Sequence, residues 1–336
     1  MRAAKSADVR EIPIYFATDR ERDTKQKRVA FGTERGPLTF GVVKVIVPPA
    51  PPPPTAEPTK AQAAKISDMR QLSITPIEIA DDKAKLIRAA RARLDVSQNF
   101  SGEALVFVHG FNVTFDNAVR RAAQLAYDLH FDGAVFLFSW PTGKGLRSYV
   151  GDRDKAQASD TNVREFLQTV VAKTNPRRID IIAHSMGTLA VNEALRGMDA
   201  EALAKLHLEE LVLASPDVDQ TLFELSFANL RKLGAKGTIY TATSDWALWA
   251  SNLLHAPLGY LTKRGPQKLV EGSDLIDITA VNADVFGLNH DHYANSPAVI
   301  ADLRQVLTKY QPPDVRTKEL VKLSVPAGTY WRYQKH

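Results

Sequence analysis

The hydrophobic positions of this chain change period several times, and each change marks an element. Ile12 to Thr18 and Leu38 to Val47 are dense in β-branched and aromatic side chains and are bounded by Gly32, Gly36, Pro37 and Pro48, which predicts two strands. From Asp81 onward the period becomes helical. Ile87, Ala90 and Leu94 share a face beside Lys83, Lys85, Arg88, Arg91 and Arg93, an amphipathic helix with a solvated basic side. Ala104 to Val108 is then a short, nearly continuous apolar run; Ala118, Ala122, Leu125 and Leu129 mark one helical face; Ala134 to Phe138 is a second apolar run. Such runs suit parallel strands covered on both sides.

The alternation continues with a helix ending near Thr174, the strand Arg178 to Ala183, a helix from Gly187 to Leu195, the strand Leu208 to Ala214 and a helix through Leu222 to Leu233. The strands Gly237 to Thr243 and Leu275 to Val281 follow, and then a last helix from Pro297 to Leu307. Strands alternating with helices in this way imply βαβ crossovers. The expected fold class is α/β: a mostly parallel, doubly wound sheet flanked by helices, with an N-terminal β extension.

Punctuation divides the chain into an N-terminal strand extension over 1–80, a catalytic unit over 81–310 and a tail over 311–336 that carries no readable motif. Within the extension, prolines crowd the stretch Pro48 to Pro54, with Pro58 just beyond, so 48–60 is expected to be an exposed, polyproline-like spacer. No internal repeat is visible.

Composition narrows the chemistry. With 336 residues, 44% hydrophobic and 24% charged, the chain has the makings of a folded core. It contains no cysteine, which excludes disulfide frameworks, thiolate metal sites and a cysteine nucleophile, and leaves oxygen or nitrogen to attack. A net charge of +5 without a dense Lys/Arg block or basic-aromatic module argues for a solvated surface and against a nucleic-acid partner. No apolar stretch is long enough to span a membrane. Met1 to Arg10 lead into no signal-type apolar region; the expected compartment is cytoplasmic for the chain as it stands and exported or periplasmic if a leader has been removed.

One turn carries the nucleophile. The strand Arg178 to Ala183 runs into Ala183-His184-Ser185-Met186-Gly187, after which Thr188 to Val191 open a helix. A serine on a sharp strand-to-helix turn is held up at the carboxyl end of a sheet, with small residues two before and two after it because backbone packs tightly there. Ala183 replaces the usual glycine at the first of those positions. A serine hydroxyl needs a histidine to take its proton and an acid to orient that histidine. In sheet-topped hydrolases acid and histidine follow in that order, and Asp245, after the next-but-one strand, and His290, beyond the final strand, stand where they are expected. Asp217 and Asp219 are rival acids, and His292 is the rival base. His290-Asp291-His292 also offers two metal-type ligands, but no further cluster at ligand spacing accompanies them, so no metal is expected. For the oxyanion, the Met186 amide at the head of the helix is one donor and the Phe111 amide, in His109-Gly110-Phe111-Asn112 after an apolar strand, is the candidate for the second.

Val106-Phe107-Val108-His109-Gly110-Phe111-Asn112, Phe138-Ser139-Trp140-Pro141 and Ile181-Ile182-Ala183-His184-Ser185-Met186-Gly187 together resemble the bacterial α/β-hydrolase family of esterase/lipase-like proteins once catalogued as domain of unknown function 900. Ile12-Pro13-Ile14-Tyr15-Phe16-Ala17-Thr18-Asp19-Arg20 and the Asn289-His290 region are similar to it too, so the resemblance covers most of 11–305. It implies the α/β-hydrolase fold, a serine triad, no cofactor and action on carboxylic esters, and it gives the catalytic place to His290, although Asn289 stands where that pattern has glycine.

The expected function is therefore a serine hydrolase cleaving carboxylic esters of a small-molecule or lipid-like substrate through an acyl-enzyme. The alternatives are a thioesterase or amidase with the same triad, or a non-catalytic binding module on the same fold; the sequence gives no oligomeric state. Trp246, Leu248, Trp249, Leu253, Leu254, Leu258, Tyr260 and Leu261 form an apolar segment after Asp245, either a lid over the site or the buried face of a helix.

Overall fold

The computed structural model of the protein describes residues 10–48, 72–143, 145–242, 258, 261–262, 265–266, 268–281 and 297–334. The strands are β1 (Arg10–Arg22), β2 (Phe31–Val47), β3 (Ser73–Ile74), β4 (Glu78–Ile79), β5 (Glu103–Val108), β6 (Ala134–Ser139), β7 (Arg178–His184), β8 (Leu208–Ala214), β9 (Lys236–Thr241), β10 (Leu261–Thr262), β11 (Gly265–Pro266), β12 (Ser273–Asp277), β13 (Leu320–Val325) and β14 (Gly328–Tyr333). The helices are α1 (Lys83–Val96), α2 (Phe115–Asp128), α3 (Tyr149–Ala158), α4 (Asp160–Phe166), α5 (Gly187–Arg196), α6 (Ala200–Leu206), α7 (Gln220–Lys232) and α8 (Pro297–Lys309).

Among the described residues, all strands but β10 and β11 join one twelve-stranded sheet in the order β13-β14-β12-β9-β8-β7-β5-β6-β1-β2-β3, with β4 also on β2. From β14 through to β1 every neighbouring pair is parallel, and antiparallel strands close the two edges. The mostly parallel, doubly wound expectation therefore holds. β5 and β6 are buried at every position, because alternate side chains enter two separate cores. Ala104, Val106 and Val108 face one core with α1, α5 and α7, whereas Leu105 and Phe107 face the other with α2 and α8. A strand covered on both faces needs apolar side chains at both parities, hence the unbroken runs in the sequence.

Several elements differ from the expected pattern. β2, expected over Leu38 to Val47, begins at Phe31 and runs through Gly32, Gly36 and Pro37, the residues expected to bound it. β1 extends through Asp19 and Arg20, and both are buried. The strand expected over Leu275 to Val281 stops at Asp277 and gives way to a short 3-10 turn over Thr279–Val281. Its carboxylate accepts from the Thr279 amide at 2.9 Å and hydroxyl at 2.5 Å, a local side-chain turn that competes with the ladder. The stretch after Lys309, read as featureless, supplies the hairpin β13–β14, which joins the sheet edge through β14 on β12.

The proline-rich stretch beyond Pro48 lies outside the described residues, as does nearly all of the apolar segment after Asp245. Leu258 and Leu261 are the described exceptions; Leu261 begins β10, and Leu258 is buried with its amide donating to Val218 O at 2.8 Å. No helix among the described residues is long and apolar enough to cross a membrane.

Candidate active site

Ser185 follows β7 directly, and its φ of +49° puts a non-glycine residue in the left-handed region. Such a conformation costs on the order of 1–3 kcal/mol and persists only where the surroundings impose it. They do so on both sides. The Ser185 amide donates to Ala214 O at 2.9 Å, and its carbonyl accepts from the Thr188 amide at 2.9 Å, the Thr188 hydroxyl at 2.6 Å and the Asp217 amide at 3.2 Å. The strand end and the first turn of α5 thus grip the two peptides that flank the same residue. Met186 is fully buried at the head of α5, where amides have no intrahelical acceptor and the helix field favours negative charge.

The small residues around the serine answer to backbone. A Cβ on Gly187 would lie 2.3 Å from His109 O and 2.9 Å from Val108 O, so β5 leaves no room for a side chain there. A Cβ on Gly110 would lie 2.7 Å from His184 Nδ1 and 2.9 Å from Ser185 Cβ. The loop carrying Phe111 therefore runs in direct contact with the serine.

That loop is held from several directions. Trp140 Nε1 donates to His109 O at 2.7 Å, and the indole stacks on the His109 ring with centroids 5.4 Å apart. The Val113 amide donates to Thr142 Oγ1 at 3.1 Å, and the Gly145 amide donates to Asn112 Oδ1 at 3.1 Å. Phe111 packs edge-on against Tyr149. Arg20, 1% exposed, donates from Nε to Ser139 Oγ at 3.0 Å, from Nη1 to Gly32 O at 3.0 Å and from Nη2 to Val113 O at 2.6 Å. Burial brings its pKa down to about 9, so it remains charged at neutral pH. Burial and the adjacent guanidinium together hold His109 well below the usual imidazole range.

Of the rival acids, Asp219 is the N-cap of α7, accepting from the amides of Thr221 and Leu222 at 2.9 and 3.0 Å. Asp217 is fully buried beside the serine turn and is engaged at both oxygens, by Tyr149 OH at 2.5 Å and Arg153 Nη1 at 2.8 Å. Asp245, His290 and His292 lie outside the described residues. The structure accordingly brings together Ser185, Met186 and the Gly110–Phe111 peptide. It also brings in residues the sequence reading did not assign to the site: Arg20, Ser139, Trp140, Thr142, Tyr149 and Arg153. The signal for Arg20 was its place at the carboxyl end of a strand, the end at which parallel sheets carry their sites. A cleft of about 560 Å³ lined by Lys173, Asn175, Lys205 and His207 opens at the other end of the sheet, where β7 and β8 begin.

Comparison with known proteins places these features in context. The model of a family described as "Alpha/beta hydrolase of unknown function (DUF900)" matches residues 88–309. Among solved structures, phospholipase PlaB from Legionella pneumophila is similar at 12% identity over 69% of this chain and 68% of that chain, with a TM-score of 0.33. A lipase-esterase related protein from Clostridium acetobutylicum ATCC 824 is similar at 15% identity over 62% of this chain and 96% of that chain, with a TM-score of 0.33. No curated protein matches the chain.

Proposed function

The chain belongs to the DUF900 family of alpha/beta hydrolases of unknown function, and from that premise we propose that it is a serine hydrolase that cleaves carboxylic esters, small or lipid-like, through an acyl-enzyme. The observation that carries the reading is the left-handed Ser185 on the β7–α5 turn with the Gly110 backbone pressed against it. A hydroxyl presented on a strained turn between a helix N-terminus and a second backbone loop is built for attack on a carbonyl carbon.

In this reading Ser185 Oγ attacks the ester carbonyl while His290 takes the hydroxyl proton, and Asp245 accepts a hydrogen bond from the other imidazole nitrogen. The carbonyl oxygen becomes an oxyanion held by the Met186 and Phe111 amides. Collapse of the tetrahedral intermediate breaks the bond to the alcohol, which leaves with the proton from His290. Water then repeats the sequence on the acyl-enzyme and releases the acid. Asp245 is taken as the acid because it follows β9, in the serine, acid, histidine order of sheet-topped hydrolases, while Asp219 caps α7.

The test is steady-state hydrolysis of an ester, thioester and amide panel by wild type and Ser185→Ala. Ester turnover should dominate the panel, and the variant should lose about 10⁴-fold or more in kcat. Ester turnover retained in Ser185→Ala would overturn the assignment.

A further inference from the structure

Arg20 is an unusual residue to bury. Among the described residues no carboxylate lies within ion-pair distance of it, and its hydrogen bonds go to neutral acceptors on separate segments: Gly32 O on β2, Ser139 Oγ at the end of β6, and Val113 O after β5. The β1–β2 register shifts on both sides of Arg20, the kind of irregularity that re-aims a side chain. Burying a charge in this way is costly unless hydrogen bonds compensate it, and one of its acceptors, Val113 O, belongs to the loop that contacts the serine.

The contact that gives this arrangement a direction is with His109. Arg20 Nη2 lies 3.3 Å from His109 Nε2, and Ser139 Oγ lies 3.1 Å from the same nitrogen. A guanidinium only donates, so Nε2 is the acceptor and the ring proton sits on Nδ1. That N–H donates to Gly110 O at 2.7 Å. Gly110 C=O and Phe111 N–H belong to one planar trans peptide and point in opposite directions. Fixing the carbonyl toward the His109 ring therefore fixes the direction of the Phe111 amide. Trp140 braces the same imidazole by stacking and by its bond to His109 O.

We propose that Arg20 is the positioning residue of the oxyanion hole: it sets the tautomer and orientation of His109, which in turn aims the Phe111 amide. This rests on the serine-hydrolase reading above. Arg20 and His109 touch no reacting atom in this scheme. They hold a peptide plane that would otherwise be free to rotate, since the residue before it is glycine.

The experiment compares wild type, Ser185→Ala, Arg20→Met, Arg20→Lys and Ser139→Ala in full-length protein, with kcat and KM on p-nitrophenyl butyrate and thermal unfolding for each. Arg20→Met removes every donor, and kcat should fall about 10²–10³-fold with KM nearly unchanged, the signature of a misplaced oxyanion donor. Arg20→Lys keeps the charge and should recover part of that loss. Nitrogen-15 spectra of the histidines should show His109 protonated on Nδ1 in wild type and no longer held in that form in Arg20→Met. A folded Arg20→Met with wild-type kcat, or a wild-type His109 protonated on Nε2, overturns the proposal. If Arg20→Met does not fold, Ser139→Ala takes its place, because it deletes one of the two contacts on Nε2; unchanged kcat there overturns the proposal equally. An inactive wild type overturns the serine-hydrolase reading and this proposal with it, whereas an active, Ser185-dependent wild type beside an unimpaired Arg20→Met overturns only the role of Arg20.

Discussion

Replacing Gly110 by alanine tests the contact between the loop proposed to hold the oxyanion and Ser185, the proposed nucleophile. The added Cβ would meet His184 Nδ1 at 2.7 Å, Ser185 Cβ at 2.9 Å and His184 O at 3.1 Å. Comfortable separations between carbon atoms are about 3.5–4.0 Å, so the loop must retreat by roughly 0.5–1 Å. The opposing wall does not yield easily, since the Ser185 amide is bonded to β8 and its carbonyl to the first turn of α5. What moves is the Gly110–Phe111 peptide, against the restraints of Trp140, Arg20 and Thr142. Overpacking of this kind costs about 1–3 kcal/mol of stability, or a melting temperature lower by about 2–4 °C for each kcal/mol. Loss of one oxyanion donor lowers kcat about 10²–10³-fold, equivalent to about 2.7–4 kcal/mol in the transition state. The assay is p-nitrophenyl butyrate hydrolysis beside thermal unfolding. Gly110→Ala should remain folded and bind substrate with little change in KM while kcat collapses. A folded variant with wild-type kcat would refute the claim that the loop's approach to Ser185 matters to turnover.

The remaining expectations concern the acid and the far end of the sheet. Asp245→Asn should lose about 10⁴-fold in kcat, while Asp217→Asn should keep ester turnover and lose about 2–3 kcal/mol of stability by weakening the charged bonds to Tyr149 and Arg153; the opposite pattern in paired kinetics and denaturant titrations would make Asp217 the acid. Burial pushes Glu210, which accepts from Thr238 Oγ1 at 2.7 Å, up to about 7, and raises its ladder neighbour Asp180 in the same direction. A carboxyl that holds its proton more tightly when folded contributes fully below its unfolded pKa, and that contribution is lost as pH rises from about 4.5 to 7, on the order of 3 kcal/mol for Glu210. Urea unfolding of Glu210→Gln at pH 5 and pH 8 should show a smaller decline in stability with pH than wild type, and an equal decline would count against a buried proton there.

Much of the central sheet and of the turn that carries Ser185 was legible because the constraints there are local. β5, β6 and β7 are short runs buried on both faces, and the Ala183-to-Gly187 turn shows in the sequence because backbone at positions 108 and 109 excludes a side chain from Gly187. The β13–β14 hairpin was not legible, since it lies at an edge where β13 shows little more than alternating half-burial and Lys322 points to solvent. The end of β12 escaped notice because the apolar run continues through Val281, while a single carboxylate, that of Asp277, turns the chain. Arg20 stands in the sequence as one charge beyond the apolar run that ends at Ala17. Nothing in a linear pattern shows that a guanidinium can be buried against carbonyls from β2 and from the loop after β5, because those acceptors are assembled only by the sheet.

The most direct measurement of the central claim is labelling with a fluorophosphonate probe, wild type beside Ser185→Ala, with mass spectrometry to locate the adduct. A single adduct should form on Ser185 and disappear in the variant. A well-folded wild type that remains unlabelled, or an adduct on another serine that persists in Ser185→Ala, would contradict the claim.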